Sequence, residues 1–435
     1  MTSVAKTGLF ICIVDDDPLV ADLTAEVLTE AGHTTMVFNN PRLALAEIPL
    51  LRPDLVIADI MMREMDGLEL CHALCSLPGL EYLKVVILSA KPYEFDRTQA
   101  HEAGAVGYIV KPYKAATLNA QILDLIKDQI TIRYWGLRGT LPVPGKKSLN
   151  YGGNTICVSL EFPRGRNFIF DGGTGIKELS SHLLATRGGK WSAKVFITHP
   201  HWDHINAIPF FTPMYIPGNE FEIIGAKHGA ITMRDMVSAQ MGGIYFPVTM
   251  REMGATIHFK DIEPGTHVFD DIEVKAMYLS HPGKCLGYRV NYGGRSFCFM
   301  TDNEIYPVDT AYHNPAYEQE LIEFMKDADI AIMDATYFEE EYRKKITWGH
   351  SSVNEVVRIA HAAGVRELQL FHHDPDQDDT KIELKGKIAN DLLADRGSAT
   401  RCVVPHEGDV VTLDCTDGTK DGSAMPNIMS ITPIY

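Results

Sequence analysis

Four apolar runs in this chain each stop at a side chain that can hold a proton or a metal ion. AKVFIT ends at His199, MYLS at His281, SFCFMT at Asp302 and LQLF at His372. Runs of this length and composition read as buried strands. Strands that end along one edge of a sheet can gather distant residues around one point. The first run enters a dense turn, His199-Pro200-His201-Trp202-Asp203-His204. A tight turn can aim His199 and His201 at one ion, and Asp203 and His204 at a second. Imidazole and carboxylate are the donors expected for zinc, manganese or iron. A lone histidine at any of these places would read as structural; the set is what points to metal.

The surrounding sequence fits that geometry. From Thr131 onward strand-like runs dominate: TICVSLEF, NFIFDGG, FEIIGA, IAIMDATY and ELQLFHH join those above. Helical stretches lie between them, notably GIKELSSHLLATRG, SSVNEVVRIAHAAG and IELKGKIANDLLADRG, the last starting near Ile382. Many strands with interleaved helices predict a layered core, sheet on sheet, with helices outside.

Residues 9–127 have a different texture. LFICIV, DLVIADI, KVVILSA and GYIVKP are continuous apolar strands alternating with helices, the signature of a parallel sheet covered on both faces. Ligands bind such sheets outside the carboxyl ends of the strands. Asp15, Asp16, Asp59, Ser89 and Lys111 all fall there. Three carboxylates beside a lysine repel one another unless a cation joins them, and an oxygen-rich site of this kind suits magnesium. VDDDP, ADIMMREMDG, LSA and YIVKP together resemble the receiver domain of two-component response regulators over about 120 residues. The resemblance implies a flavodoxin-like five-stranded fold, with Asp59 as phospho-acceptor and Asp15 and Asp16 as magnesium-binding acids. Met61 would supply a metal-ligating carbonyl, Ser89 and Lys111 would contact the phosphoryl group, and Tyr108 would be the switch aromatic. Arg63 stands where many receivers carry proline. A sensor histidine kinase or phosphotransfer protein is the implied partner.

HPHWDH matches the HxHxDH signature, and residues 130–413 resemble the metallo-β-lactamase superfamily and its αββα fold. The resemblance implies a first metal site of His199, His201 and His281. It implies a second of Asp203, His204 and His372, with Asp302 bridging the two and His373 as the rival last ligand. MTDNE, MDATYF, GHSS and FHHDP look like the branch that holds RNase Z and cyclic-phosphate phosphodiesterases. That match adds Asp334 and His350, a carboxylate–histidine pair that would protonate a leaving oxygen, so that Asp203, Asp334 and His350 are the candidate catalytic residues. Met333 precedes Asp334 where the motif has histidine. The expected function is a binuclear-metal phosphodiesterase governed by phosphorylation of Asp59. The alternative is a di-iron redox or oxygen sensor on the same fold.

Charge limits the substrate. The 435-residue chain has a formal net charge of -17. An acidic surface repels polyanions, which argues against long nucleic acid and anionic membrane. Residues 205–280 carry five Lys/Arg against nine Asp/Glu, a formal net of -4, so no basic arm is visible there. A small phosphodiester such as a cyclic nucleotide fits better. MRDMVSAQMGGIYFPV reads as an apolar lid or homodimer surface, with helix core as the plainer account. No apolar run approaches 18 residues, and the expected location is cytoplasmic. The eight scattered cysteines read as buried free thiols. The expected division is a receiver at 1–128, a hydrolase domain at 129–415 and a Gly/Ser/Thr/Pro-rich tail at 416–435, disordered or laid across a neighbouring surface. No flexible spacer separates the first two, so a short junction can pass on a helix shift.

Overall fold

The computed structural model describes residues 8–77, 79, 80, 83–90, 93–244, 246–415 and 427–429. The chain parts into two compact units, Met1–Asp128 with Pro163–Gly165, and Gln129–Phe162 with Arg166–Tyr435. Among the described residues no helix is long and apolar enough to cross a membrane.

The first unit is a five-stranded parallel sheet in the order Thr34–Phe38, Phe10–Val14, Leu55–Asp59, Lys84–Ser89, Gly107–Val110. Successive side chains of a strand point to opposite faces. Ile11 and Ile13 therefore pack with Leu118 and Ile122 on one side, while Cys12 and Val14 pack with Ile48 and Leu70 on the other. Both faces are covered by helices, which is why these strands read as unbroken apolar runs. Asp17, the third acid of VDDDP, accepts the Leu19 N–H and caps the helix Pro18–Glu30. The last helix of this unit spans Ala115–Leu125. Just beyond its end the Lys84 ammonium donates to the Ile126 carbonyl and the Asp128 carboxylate.

The second unit stacks two sheets. One has eight strands, in the order Thr256–Asp261, Glu220–Gly225, Ala193–Phe196, Arg166–Phe170, Cys157–Phe162, Gln129–Gly136, Val410–Asp414, Asn427–Met429. The other has seven: Gly265–Phe269, Ile272–Tyr278, Leu286–Tyr292, Arg295–Met300, Ile330–Asp334, Glu367–Phe371, Arg401–Val403. Strand alternation sorts the side chains into layers. Phe168, Phe170, Phe196, Phe297 and Phe299 fill the space between the sheets. Ile169 and Val195 face the helix Ile176–Arg187, and Cys298 and Met300 face the helices Pro315–Met325 and Val353–Ala362. The unit is thus mixed α/β, with helices outside both sheets.

Two sequence expectations need correction. Met233 and Met241 are buried in the layer outside the eight-stranded sheet and Met236 and Phe246 pack on it, so this stretch is core rather than lid, with Ile244 left 92% exposed. The helix expected near Ile382 starts at Asp379, because Asp378 accepts the Lys381 N–H and caps it three residues earlier. The tail at 416–435 lies outside the described residues except Asn427–Met429, which pairs antiparallel with Val410–Thr412. All eight cysteines are free, six of them buried.

Phe170 is fully buried and touches four other rings of the inter-sheet layer. Truncation there leaves a cavity that neighbours on two sheets cannot close. Phe170→Ala is expected to destabilise the second unit by about 3–5 kcal/mol in chemical denaturation; a loss below about 1 kcal/mol would contradict this packing.

Candidate metal centre

The polar residues of the second unit gather where four of its strands end. Ala193–Phe196 leads to His199, Ile272–Tyr278 to His281, Arg295–Met300 to Asp302, and Glu367–Phe371 to His372. Asp302 and His372 have left-handed backbones, at φ 55° and 58°. Such a turn costs of order 1–3 kcal/mol for a residue with a Cβ and persists only when its surroundings impose it. Here it swings the side chain back over the strand end. His372 faces the cluster, while His373, buried and with both ring nitrogens unpartnered, stays outside it.

Two sets of donor atoms result, and Asp302 turns one oxygen toward each. Its Oδ2 lies 3.6 Å from His199 Nε2 and 3.7 Å from His281 Nε2, and His281 Nε2 lies 3.2 Å from His201 Nδ1. Its Oδ1 lies 3.1 Å from His204 Nε2 and 3.2 Å from His372 Nε2, each of which is 3.3 Å from Asp203 Oδ2. Two donors bound to one ion at about 2.1 Å in a tetrahedron stand about 3.4 Å apart. The seven measured separations bracket that value. His199 Nε2 and His204 Nε2 are buried with no hydrogen-bond partner, the condition expected of nitrogens that await a cation. The residues therefore fit a pair of divalent ions on nitrogen and oxygen donors.

Outer contacts fix which ring nitrogen faces inward. His204 Nδ1 is 2.8 Å from Asp171 Oδ2, His281 Nδ1 is 2.8 Å from the Gly349 carbonyl, and His372 Nδ1 is 2.9 Å from Thr336 Oγ1. Such partners hold the tautomer that leaves the other nitrogen free for metal. Glu304 accepts the N–H groups of Thr347 and Gly349 and so supports the Gly349 carbonyl. The RGT segment closes over the second set. Thr140 N–H donates to Asp203 Oδ2 at 2.7 Å, and a Cβ on Gly139 would stand 2.1 Å from the His372 ring.

Charge is unevenly shared across the cluster. Burial pushes the pKa of His199, His201 and His281 down, so these rings are neutral donors. Burial also opposes charge on His204, but Asp302, Asp203 and Asp171 outweigh it and raise its pKa. Burial opposes charge on Asp203 and Asp302, but His204 and His372, joined at Asp302 by His199, hold both well below the usual carboxylate range.

Asp334 and His350 lie beside the second set. His350 Nδ1 is 2.8 Å from Asp334 Oδ2, and the His350 ring stacks on His372 with centroids 4.5 Å apart. Asp334 Oδ1 is held by the N–H and hydroxyl of Thr336. Burial disfavours a charged His350, but Asp334 prevails and its pKa is pushed up to about 9. The helix Val353–Ala362 is capped by Ser352, so His350 has no capping duty. Asp302, Asp334, His350 and His372 also form a group within 4.8 Å, although Asp334 Oδ2 is already engaged by His350.

The first unit carries the other predicted cluster. Lys111 Nζ donates to Asp15 Oδ2 at 2.8 Å and to Asp59 Oδ1 at 2.6 Å. Burial opposes the Lys111 charge, yet the two carboxylates leave its pKa raised. Asp15 is shifted up by burial, which its Lys111 hydrogen bond only partly offsets. Met61 N–H donates to Asp59 Oδ2 at 2.6 Å, and Arg63 N–H to Asp16 Oδ2 at 3.2 Å. Ser89 is buried at the end of its strand, and its carbonyl accepts the Lys111 N–H. Tyr108 is half-buried, with the Arg97 guanidinium 5.4 Å from its ring centre.

Sequence reasoning missed Asp171, Thr336, Glu304 and Thr198, whose hydroxyl donates to Asp171 Oδ2 at 2.9 Å and lies 3.1 Å from His199 Nδ1. Asp171 was within reach of the same rule: NFIF is an apolar run that stops at an acid. The two threonines and Glu304 act through contacts between segments far apart in the chain, and no local pattern marks them.

Comparison with known proteins finds two families, one in each part of the chain. Residues 11–123 match the family model described as response regulator receiver domain, and residues 166–373 match that described as β-lactamase superfamily domain. DNA-binding response regulator MtrA of Mycolicibacterium smegmatis is 37% identical over 112 residues, 26% of this chain and 48% of that protein. Alkaline phosphatase synthesis transcriptional regulatory protein PhoP of Bacillus subtilis is 28% identical over 117 residues, 27% of this chain and 48% of that protein. The chain thus spans about half the length of the curated relatives it matches. Among solved structures, the metallo-β-lactamase fold protein YhfI from Bacillus subtilis aligns at TM-score 0.48 and 16% identity, covering 66% of this chain and all of that one. A putative response regulator from Chloroflexus aurantiacus aligns at TM-score 0.27 and 28% identity, covering 27% of this chain and 98% of that one. The chain joins a response regulator receiver domain to a β-lactamase superfamily domain.

Proposed function

We propose that this chain is a two-component response regulator whose output is a binuclear-metal phosphodiesterase for a small phosphodiester, controlled by phosphorylation of Asp59. The observation that carries the reading is the position of Asp302, with one oxygen toward each donor set and the Asp334–His350 pair alongside. His199, His201, His281 and Asp302 would hold one ion; Asp203, His204, His372 and Asp302 would hold the other. Zinc suits these donors best, with manganese or iron as alternatives. Bound divalent ions supply Lewis acidity and an activated water at neutral pH.

The residues of the chain do the rest. Asp171, Gly349 and Thr336 keep the imidazoles oriented, so the centre needs little rearrangement when substrate arrives. His350, held by Asp334, is placed to protonate the departing oxygen, a role worth roughly 10²–10⁴ in rate. His350→Ala is expected to lower turnover of bis(p-nitrophenyl) phosphate by about 10²–10⁴, with metal content by elemental analysis near wild type. Loss of bound metal in that variant would make His350 a ligand instead.

At the receiver, Asp15, Asp16 and Asp59 would share a magnesium ion, and a sensor histidine kinase or phosphotransfer protein would supply the phosphoryl group. A phosphoryl group on Asp59 adds about 1.5–2 negative charges next to Lys111, which now divides itself between Asp59 and Asp15. Lys111 and Ser89 would turn to the phosphoryl oxygens, and the strand that carries Tyr108 would follow. Treatment of wild type with acetyl phosphate and magnesium should change the phosphodiesterase rate or the oligomeric mass, and Asp59→Ala should be inert to it. Identical rate and mass in both proteins, treated and untreated, would remove the regulatory claim.

A further inference from the structure

A pocket of about 290 Å³ opens among Tyr278, Ser280, Tyr306, Tyr312, Tyr317 and Leu321. It is built on the segments that carry two of the proposed metal ligands. Ser280 immediately precedes His281, and Tyr306 follows Asp302 by four residues. These segments are hydrogen-bonded to each other: Ser280 N–H donates to Asn303 Oδ1 at 3.0 Å, and Glu304 N–H donates to the Ser280 carbonyl at 2.8 Å. The pocket and the donor cluster are therefore built on the same two chain segments, 278–281 and 302–306.

The lining says what such a ligand carries. Four of its residues are tyrosines. Tyr306 and Tyr312 form a tilted pair, with centroids 5.4 Å apart and planes at 33°. Tyr312 is 56% exposed and stands at the mouth, while Leu321 and Ile305 are buried at the floor. Tyr317 is fixed through its hydroxyl, which donates to Asn303 Oδ1 and accepts the Ser280 N–H. No lysine or arginine lines the pocket among the described residues, and its one carboxylate, Glu318, is engaged by Arg358 at 2.6 and 2.8 Å. The one histidine of the lining, His313, is paired with Glu318 at 3.1 Å, so an anion meets only neutral hydroxyl and amide donors, whereas a neutral flat ring finds aromatic faces. The volume lies just under the range of roughly 300–1,000 Å³ for sites that take drug-sized ligands, so one base fits and a dinucleotide does not.

We propose that this pocket seats the base of a nucleotide diester whose phosphate lies at the metal centre. The inference rests on the phosphodiesterase reading and narrows its substrate to a nucleotide. Adenosine, which carries the base without a phosphate, is the probe. Its binding to the metal-loaded full chain is measured by calorimetry, and its inhibition of bis(p-nitrophenyl) phosphate hydrolysis is measured in parallel. Adenosine should inhibit competitively. Tyr312→Ala or Tyr306→Ala should weaken its binding about tenfold or more, the loss expected when a base loses one stacking ring. Tyr312→Phe, which keeps the ring, should stay within about twofold of wild type. If wild type cleaves the diester but does not bind adenosine, or binds it equally well without the Tyr306 and Tyr312 rings, the base pocket is overturned and the phosphodiesterase reading stands. If adenosine binds through these rings but no phosphodiester is cleaved, the phosphodiesterase reading falls and takes the nucleotide diester with it.

Discussion

The second unit is organised around one buried carboxylate. Asp302 is 2% exposed and presents its two oxygens to different imidazoles, Oδ2 to His199 and His281, Oδ1 to His204 and His372. Without a cation the cost is plain: acids and imidazoles are packed out of water, and two ring nitrogens have no partner. Divalent charge at this point would turn that cost into binding free energy, and the metal-free pattern of raised and lowered pKa values would shift with it. The same ions would pull the His350 pKa down from about 9, toward the range where a general acid works.

The two sheets exist, in this sense, to hold Asp302 and its partners at fixed distances. The aromatic layer of Phe170, Phe196, Phe297 and Phe299 joins the sheet that ends in His199 to the sheet that ends in Asp302. Left-handed turns at Asp171, Asp302 and His372 bring three of the polar side chains in over the strand ends. Lys385 works from behind: fully buried, it donates to the carbonyls of Ala335 and Thr336 at 2.7 Å, beneath the threonine that orients His372. Burial lowers its pKa to about 7. Function and stability draw on the same contacts, so strain at the site is offset by packing away from it.

Much of this was legible from apolar runs and what terminates them. Buried strands of an α/β core announce themselves by composition, and their ends are where ligands lie. The strands Gly265–Phe269 and Thr256–Asp261 escaped because they are edge strands with mixed polar faces, carrying residues such as Thr266, His267, His258 and Lys260. The partition between His372 and His373 depends on a backbone turn that composition does not encode. Thr336 and Glu304 are visible only once segments far apart in the chain meet. The methionines of MRDMVSAQM left lid and core both open because a helix that packs its apolar side under a sheet has the same periodicity as one that waits for a partner.

The central claim is that Asp302 stands between two metal ions. Anomalous diffraction from crystals grown with zinc tests it most directly. The account predicts two anomalous peaks about 3.5–4 Å apart, one among His199, His201 and His281 and one among Asp203, His204 and His372, with an Asp302 oxygen on each. A single peak, or a second one ligated by His350 or His373 in place of His372, would contradict it.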